Sequence, residues 1–338
     1  MGEKEREKVE HWGQGKSARV DVCIPVYRID PTPLIHSLFR CDRAEEARIC
    51  VCDDGSGDPQ LSQKLRALLS AHRGPGTLIT LAANRGRSGA RNALIAHSQS
   101  EWLLFLDADT EIPSPLFLVR YFQAIDECAG PALVVGGCTV PKVVPAPDAA
   151  LRHAYGRWFE SASLARRRRN PQAFVHTSNA LVHRSVVEAE PFDEGFVGWG
   201  WEDIEWGMRV GKRFPIVHID NLVIHTGLEN DAITLKKVEN SALNFVRFCS
   251  RHPKEAKRVE LGAFKLRTFP PSARNWMLEK TRQLSMDRRF PMWIRLTAFQ
   301  IFKSLVYANA IGSVERGARA CDGAASTVGD PSLDNSIK

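Results

Sequence analysis

An α/β fold is predicted, with a mostly parallel central sheet flanked by helices and a helical C-terminal appendage. Three features of the 338-residue chain predict it. The first half alternates short β-rich runs with helical segments, the pattern of successive βαβ units. Four of those runs end in polar or glycine-rich turns, the place where open parallel sheets bind ligands. Beyond about residue 250 the strand pattern stops and the text becomes basic and amphipathic.

In chain order, strands are expected at Val20–Val26, Arg48–Cys52, Leu78–Ala82, Trp102–Leu106 and Ala132–Cys138. Between them Pro31–Arg40, Pro59–His72, Ser88–His97 and Pro113–Cys128 carry helical apolar spacing and Pro or Ser starts. A connection with Pro141, Pro145 and Pro147 follows, then a helix from Ala149, a basic run Arg166–Arg169 and a strand at Val175–His183. The expected organisation is a charged tail (1–18), a main α/β domain (19–251), a basic amphipathic helical region (252–316) and a tail without structure (317–338). No internal repeat is present.

Hydrophobic residues make up 43% of the chain, enough for one large domain with an appendage, and neither disordered nor fibrous composition fits. The start is crowded with Glu, Lys and Arg, without the apolar run of a secretory signal, and no stretch is long enough to span a bilayer. A cytoplasmic location is expected. The eight cysteines form no CxxC pair and several lie within apolar runs, which argues against a zinc site or a disulfide framework. The net charge of +7 suits nucleic acid, anionic lipid or a diphosphate and does not choose among them.

The chemistry-bearing residues follow the strands. Asp107-Ala108-Asp109 sends two carboxylates off one sheet edge, which suits a hard cation such as Mg²⁺ or Mn²⁺; acidic caps at a helix start are the alternative. Asp53-Asp54-Gly55-Ser56 can accept hydrogen bonds from a base or ribose, or be an ordinary turn. Asn84 to Asn92 joins a glycine-rich turn to a helix containing Arg91, a junction that offers N–H groups to an anion, or is a solvated loop capped by Ser88. It matches neither a dinucleotide fingerprint nor a P-loop.

Gly198-Trp199-Gly200-Trp201-Glu202-Asp203 combines flexible glycines, two indoles for stacking on sugar faces and two carboxylates able to take a hydroxyl proton. Core tryptophans and a helix-start charge are the other reading. His225 ends an apolar run and can complete the coordination of a cation held by Asp109, or merely hydrogen-bond, with His218 a competitor.

Taken in order, PVYR, DDGS, NRGRSGARNAL, LDADT, GWGWED and His225 resemble glycosyltransferase family 2, over roughly two-thirds of the chain. The GWGWED segment also resembles the acceptor motif of galactosyltransferases and chondroitin-type polymerases. The resemblance implies a GT-A fold and transfer from a nucleotide-diphosphate sugar, a UDP-sugar foremost, to a glycan or lipid-linked acceptor, with Mn²⁺ or Mg²⁺ as cofactor and no nucleic acid partner. It places Pro25, Tyr27, Asp53, Asp54, Asn84 and Arg91 around the nucleotide and Asp107, Ala108 and Asp109 at ribose and metal. It also places His225 on the metal, Trp199, Gly200, Trp201 and Glu202 at the acceptor, and Asp203 as catalytic base.

Related retaining enzymes usually carry Glu-Asn where this chain has Glu202-Asp203, so inversion is implied. The lack of QxxRW and of membrane spans implies a distributive enzyme. A non-catalytic sugar- or nucleotide-binding subunit and a nucleotidyltransferase are the competing classes.

Two basic segments stay open. Arg166–Arg169 is a solvated loop or a cover over the diphosphate or an anionic acceptor. On a helical wheel Ile294, Phe299, Phe302, Leu305 and Val306 share an apolar arc into which Arg295 intrudes. This helix either lies on an anionic membrane surface, with Arg295 snorkelling and Trp293 entering the acyl boundary, or packs against protein.

Overall fold

The computed structural model describes residues 7–13, 15–143 and 146–326. The chain divides into two compact units, residues 1–244 and 245–338.

The first unit runs β1 (Glu7–Trp12), β2 (Val20–Val26), α1 (Thr32–Phe39), β3 (Ala47–Asp53), α2 (Pro59–Ala71), β4 (Gly76–Leu81), α3 (Gly86–His97) and β5 (Trp102–Leu106). It continues with β6 (Thr110–Glu111), α4 (Phe117–Glu127), β7 (Leu133–Val135), β8 (Cys138–Thr139), α5 (Ala150–Tyr155), α6 (Leu164–Arg169), β9 (Asn179–His183) and α7 (Arg184–Ala189). It ends with α8 (Glu202–Val210), β10 (Ile216–His218), β11 (Val223–His225), α9 (Asp231–Asn240) and the start of α10 (Ala242–Arg251).

Eight strands form one sheet in the order β1-β4-β3-β2-β5-β9-β7-β10, and β6-β11-β8 form a second. Strands β4, β3, β2 and β5 are mutually parallel. They are buried on both faces, which is why they read as unbroken apolar runs rather than alternations. The chain winds outward from β2 to β4, then returns to lay β5 on the other side of β2. The carboxyl ends of β2 and β5 therefore flank a topological switch point, the crevice where open sheets take ligands.

Beyond β5 the pairing turns antiparallel at β9, which joins β5 to β7. Within this sheet parallel order belongs to the β4–β5 block and the β7–β10 pair, while in the second sheet β8 and β11 are parallel. The expected strand Ala132–Cys138 is two strands, because Gly136 and Gly137 break it. Gly137 has φ +85°, and a side chain at Gly136 would strike Asn179, Asn221 and Tyr121. Those three residues form a buried network, with the Tyr121 hydroxyl donating to the Asn179 side chain at 2.6 Å and the Asn179 amide to the Asn221 backbone carbonyl at 2.7 Å.

The charged start is not all tail. β1 pairs antiparallel with β4 from Glu7 opposite Leu81 to Trp12 opposite Gly76, and residues 1–6 lie outside the described residues. Within β2, Asp21 is fully buried yet satisfied, accepting from the Ser100 hydroxyl at 2.6 Å and facing Arg48 at 3.2 Å. Cys23, Cys50 and Cys52 are buried free thiols of the core, as their apolar setting implies.

The second unit holds the rest of α10, α11 (Pro253–Val259), α12 (Leu261–Leu266), α13 (Pro271–Met286) and α14 (Met292–Ser326). α13 and α14 make an antiparallel hairpin, with Asn309 hydrogen-bonded to Asn275 at 3.2 Å. The arc proposed for a lipid surface is spent inside the protein: Phe299, Phe302, Leu305 and Val306 are buried. Arg295 does not snorkel but is buried, its Nε donating to the Ser285 carbonyl at 2.9 Å. Trp293 stays exposed. The stretch expected to lack structure is helical as far as Ser326, and residues 327–338 lie outside the described residues. Among the described residues no helix is long and apolar enough to cross a membrane.

Candidate active site

The ends of β2, β3 and β4 are stitched to one another by short polar contacts. Asp54 N–H donates to the Val26 carbonyl at 2.8 Å, and Arg28 N–H donates to the Ser56 hydroxyl at 2.8 Å. Asp53 accepts from Ser56 N–H at 3.0 Å. Gly55 has φ +70°, and a Cβ there would lie 2.5 Å from the Ala83 carbonyl carbon, so only glycine fits.

Asp54 accepts from the Asn84 amide at 2.9 Å and from Arg85 N–H at 2.7 Å. It thereby occupies the Arg85 N–H just before α3, and Ser88 is no cap, being buried in the first helical turn. Burial raises the Asp54 carboxyl to about 6, against the lowering pull of those backbone donors. Tyr27 is exposed beside this cluster, with the Arg28 guanidinium 5.1 Å from its ring centre, and Pro25 is half-buried at the end of β2.

On the other side of the switch point, Asp107-Ala108-Asp109 leaves β5 in a tight turn in which Thr110 N–H and hydroxyl both bond the Asp107 carbonyl. The turn feeds β6, a strand, which removes the helix-cap reading. β6 pairs antiparallel with β11 and sets His225 opposite Thr110. That register brings the His225 Nε2 to 3.2 Å from the Asp109 carboxylate. The Asp109 carbonyl is held by Thr226 and Gly227 N–H groups at 2.9 and 3.3 Å. Gly227 has no room for a Cβ, which would sit 2.3 Å from an Asp109 oxygen.

Burial works against both charges of the pair. Their mutual attraction nevertheless holds the Asp109 carboxyl below and the His225 imidazole above their ordinary values. The His225 Nδ1 is buried without a hydrogen-bond partner. His218 is elsewhere: its two ring nitrogens meet Arg167 at 3.2 Å and the Pro171 carbonyl at 3.0 Å, so it does not compete as a ligand.

Arg91, from α3, joins the two halves. Its buried guanidinium lies 3.2 Å from Asp107 and 3.4 Å from Asp203. Asp203 also accepts from the Thr177 hydroxyl at 2.7 Å and from Thr177 N–H at 3.1 Å. Although burial opposes it, Arg91 and Thr177 hold Asp203 below the usual carboxylate range. Glu202 is pushed up by burial and by the neighbouring Asp203, with Arg87 and Arg91 pulling the other way.

The glycine-tryptophan loop before them is left-handed at Gly198, Gly200 and, unusually for a side-chain-bearing residue, Trp201. The two indoles divide. Trp201 is buried, while Trp199 is partly exposed with the Lys237 ammonium 5.9 Å from its ring centre. Asn244 fixes the loop, its amide donating to the carbonyls of Val197 and Gly200, both at 3.0 Å, and its oxygen accepting from Val197 N–H.

Thr177, Asn244, Lys237 and Arg87 were not singled out from the sequence; the isolated Thr and Asn carry no spacing signal. The basic run is split as well. Arg167 is buried and donates to the Val135 carbonyl at 3.2 Å, whereas Arg168 is exposed although its Nε donates to the His218 carbonyl at 3.1 Å, so the solvated reading fails at Arg167.

Among the described residues no three His, Cys, Asp or Glu side chains form a closed metal cage. The Asp109–His225 pair instead fits an open site: one carboxylate and one imidazole at a strand edge, with remaining positions left to phosphate oxygens and water.

A curated N-acetylglucosaminyltransferase of Sinorhizobium fredii is 29% identical over 130 residues, 35% of this chain but only 30% of that protein's length. A mannosyltransferase from Pyrobaculum calidifontis, solved with GDP-Man and Mn²⁺, superposes over 87% of this chain and 88% of its own with TM-score 0.54 at 17% identity. The S. aureus TarS fragment with UDP-GlcNAc covers 88% of this chain and 92% of its own, with TM-score 0.49 at 16% identity. The architecture is that of GT-A glycosyltransferases. Residues 21–190, half of the chain, match glycosyl transferase family 2, and the protein belongs to that family.

Proposed function

We propose that the protein transfers a sugar from a nucleotide-diphosphate sugar to a hydroxyl of a glycan or lipid-linked acceptor, with inversion and with a divalent cation. The observation that carries this reading is the meeting of Asp109 and His225 at 3.2 Å beside the switch point, while Arg91 ties Asp107 to Asp203. UDP-sugars are the first donors to test, with GDP-mannose second.

In this reading the stitched ends of β2 to β4 seat the nucleoside, and Asp109 and His225 hold Mn²⁺ or Mg²⁺. The cation supplies charge neutralisation for the leaving diphosphate. Asp203, kept ionised by Arg91 and Thr177, removes the acceptor proton as the acceptor oxygen bonds the anomeric carbon and the carbon–phosphate oxygen bond breaks. A weak base suffices, because the hydroxyl becomes acidic only as its oxygen gives up electron density. Trp199 offers its face to an acceptor sugar, while buried Trp201 shapes the loop from within.

Radiolabelled transfer and donor hydrolysis, screened over UDP- and GDP-sugars, test the proposal. EDTA should abolish turnover and Mn²⁺ or Mg²⁺ restore it, with Asp109→Ala inactive at any metal concentration. Full turnover in chelator would remove the cation from the reading.

A further inference from the structure

Two arginines of α3 face the same carboxylates in different ways. Arg91 is buried and fixed from two sides, by Asp107 and Asp203. Arg87, in the first turn, keeps 41% of its side chain exposed and makes one contact, 3.5 Å from a Glu202 oxygen that is itself buried. That distance is long for a charge-assisted bond, whose usual span is about 2.7 to 2.9 Å. The guanidinium also stands in the combined field of Glu202, Asp107, Asp203 and Asp109. Four carboxylates face two arginines and His225, which leaves a surplus of negative charge where the donor's diphosphate is to bind. Besides a divalent cation, a diphosphate calls for cationic side chains turned toward it, and Arg91 is already held by Asp107 and Asp203.

We propose that Arg87 changes partner when donor binds, letting go of Glu202 and gripping the diphosphate. The inference rests on the donor reading above. The exchange is favourable in kind: a single half-exposed contact to a carboxylate is weak, whereas guanidinium to phosphate can form two parallel charge-assisted bonds.

The test is calorimetric binding of UDP and UMP, with GDP and GMP in parallel, to wild type, Arg87→Met and Arg87→Lys, in EDTA so that no cation contributes. Arg87→Met should weaken diphosphate binding about tenfold while monophosphate binding stays within about twofold, and Arg87→Lys should recover part of the loss. Glu202→Gln, which frees the arginine beforehand, should tighten UDP binding. An unchanged UDP-to-UMP ratio in Arg87→Met, or equal losses for both nucleotides, overturns the clamp. Unchanged UDP affinity in Glu202→Gln overturns the exchange. If wild type binds neither nucleotide pair even after Mn²⁺ is restored, the donor reading itself fails, and that result differs from one in which wild type binds and the variant binds equally well.

Discussion

The two sides of the switch point are built from the same residue types by opposite means. At the ends of β2, β3 and β4, Asp53 and Asp54 are met by N–H groups and an amide from their own turns, and the cluster needs no ion pair. Across the crevice, Asp107, Asp109, Glu202 and Asp203 are met mainly by Arg87, Arg91 and His225. Backbone donors hold a fixed shape, whereas long cationic side chains can change partners when a charged ligand arrives. The first side is organised to seat something, and the second to have its charges rearranged during a reaction.

This contrast is sharpest at the base. Asp203→Asn keeps the shape and one acceptor toward Thr177 but cannot take a proton. Turnover should fall about 10²-fold or more with donor affinity little changed, as steady-state kinetics with both substrates will show. Near-normal turnover would move the base to Glu202.

Next in size is Asn244→Ala. Removing the buried amide that ties Val197 and Gly200 should lower stability by about 1–3 kcal/mol. It should also raise the acceptor Michaelis constant by about tenfold, with that of the donor unmoved, because Trp199 loses its fixed position. A rise in both constants would mean that the loop serves the donor too.

On the backbone-held side the sharper probe is pH. The Asp54 carboxyl is raised to about 6 from 3.8, so between those values the folded chain holds a proton that the unfolded chain has lost. Its contribution to stability therefore falls as pH rises through that window. Asp54→Asn, uncharged throughout, should gain on wild type from pH about 4 to about 6 in chemical denaturation. A constant difference across the window would contradict a buried, protonated Asp54.

The smallest effect is expected away from both sides. Arg166 and Arg169 are exposed, so Arg166→Ser with Arg169→Ser should leave stability unchanged and shift a Michaelis constant only if the run meets an anionic substrate. Arg167→Ala, by contrast, should destabilise the fold by about 3 kcal/mol, since it strips a buried charged donor from Val135 and His218.

What could be read from the sequence follows from what is local. Unbroken apolar runs marked β2, β3, β4 and β5 within a residue or two, and the turns after them marked the site. The meeting of Asp109 with His225 depends on the β6–β11 pairing, between strands of two and three residues that are too short to show alternation. The family resemblance supplied that pair where spacing alone left it open. The split of Trp199 from Trp201, the contact of Asp54 with the turn before α3 and the burial of Arg167 and Arg295 are tertiary outcomes, invisible in composition. The charged β1 was missed because Glu, Lys and His alternate with little apolar content, as suits a strand at the margin of a sheet.

That marginal strand matters at the bench. A shortened chain begun where the family match starts, at residue 21, would discard β1 and leave β4, with its run Gly76-Thr-Leu-Ile-Thr-Leu81, as a bare edge with unpaired N–H and C=O groups. Such an edge templates the addition of another chain. It would also strip Glu7 from Arg85 and His97, and Glu10 from Arg66. The acidic strand thus serves as a solubility guard, and trimming it for a tidier expression boundary invites aggregation of an otherwise intact catalytic unit.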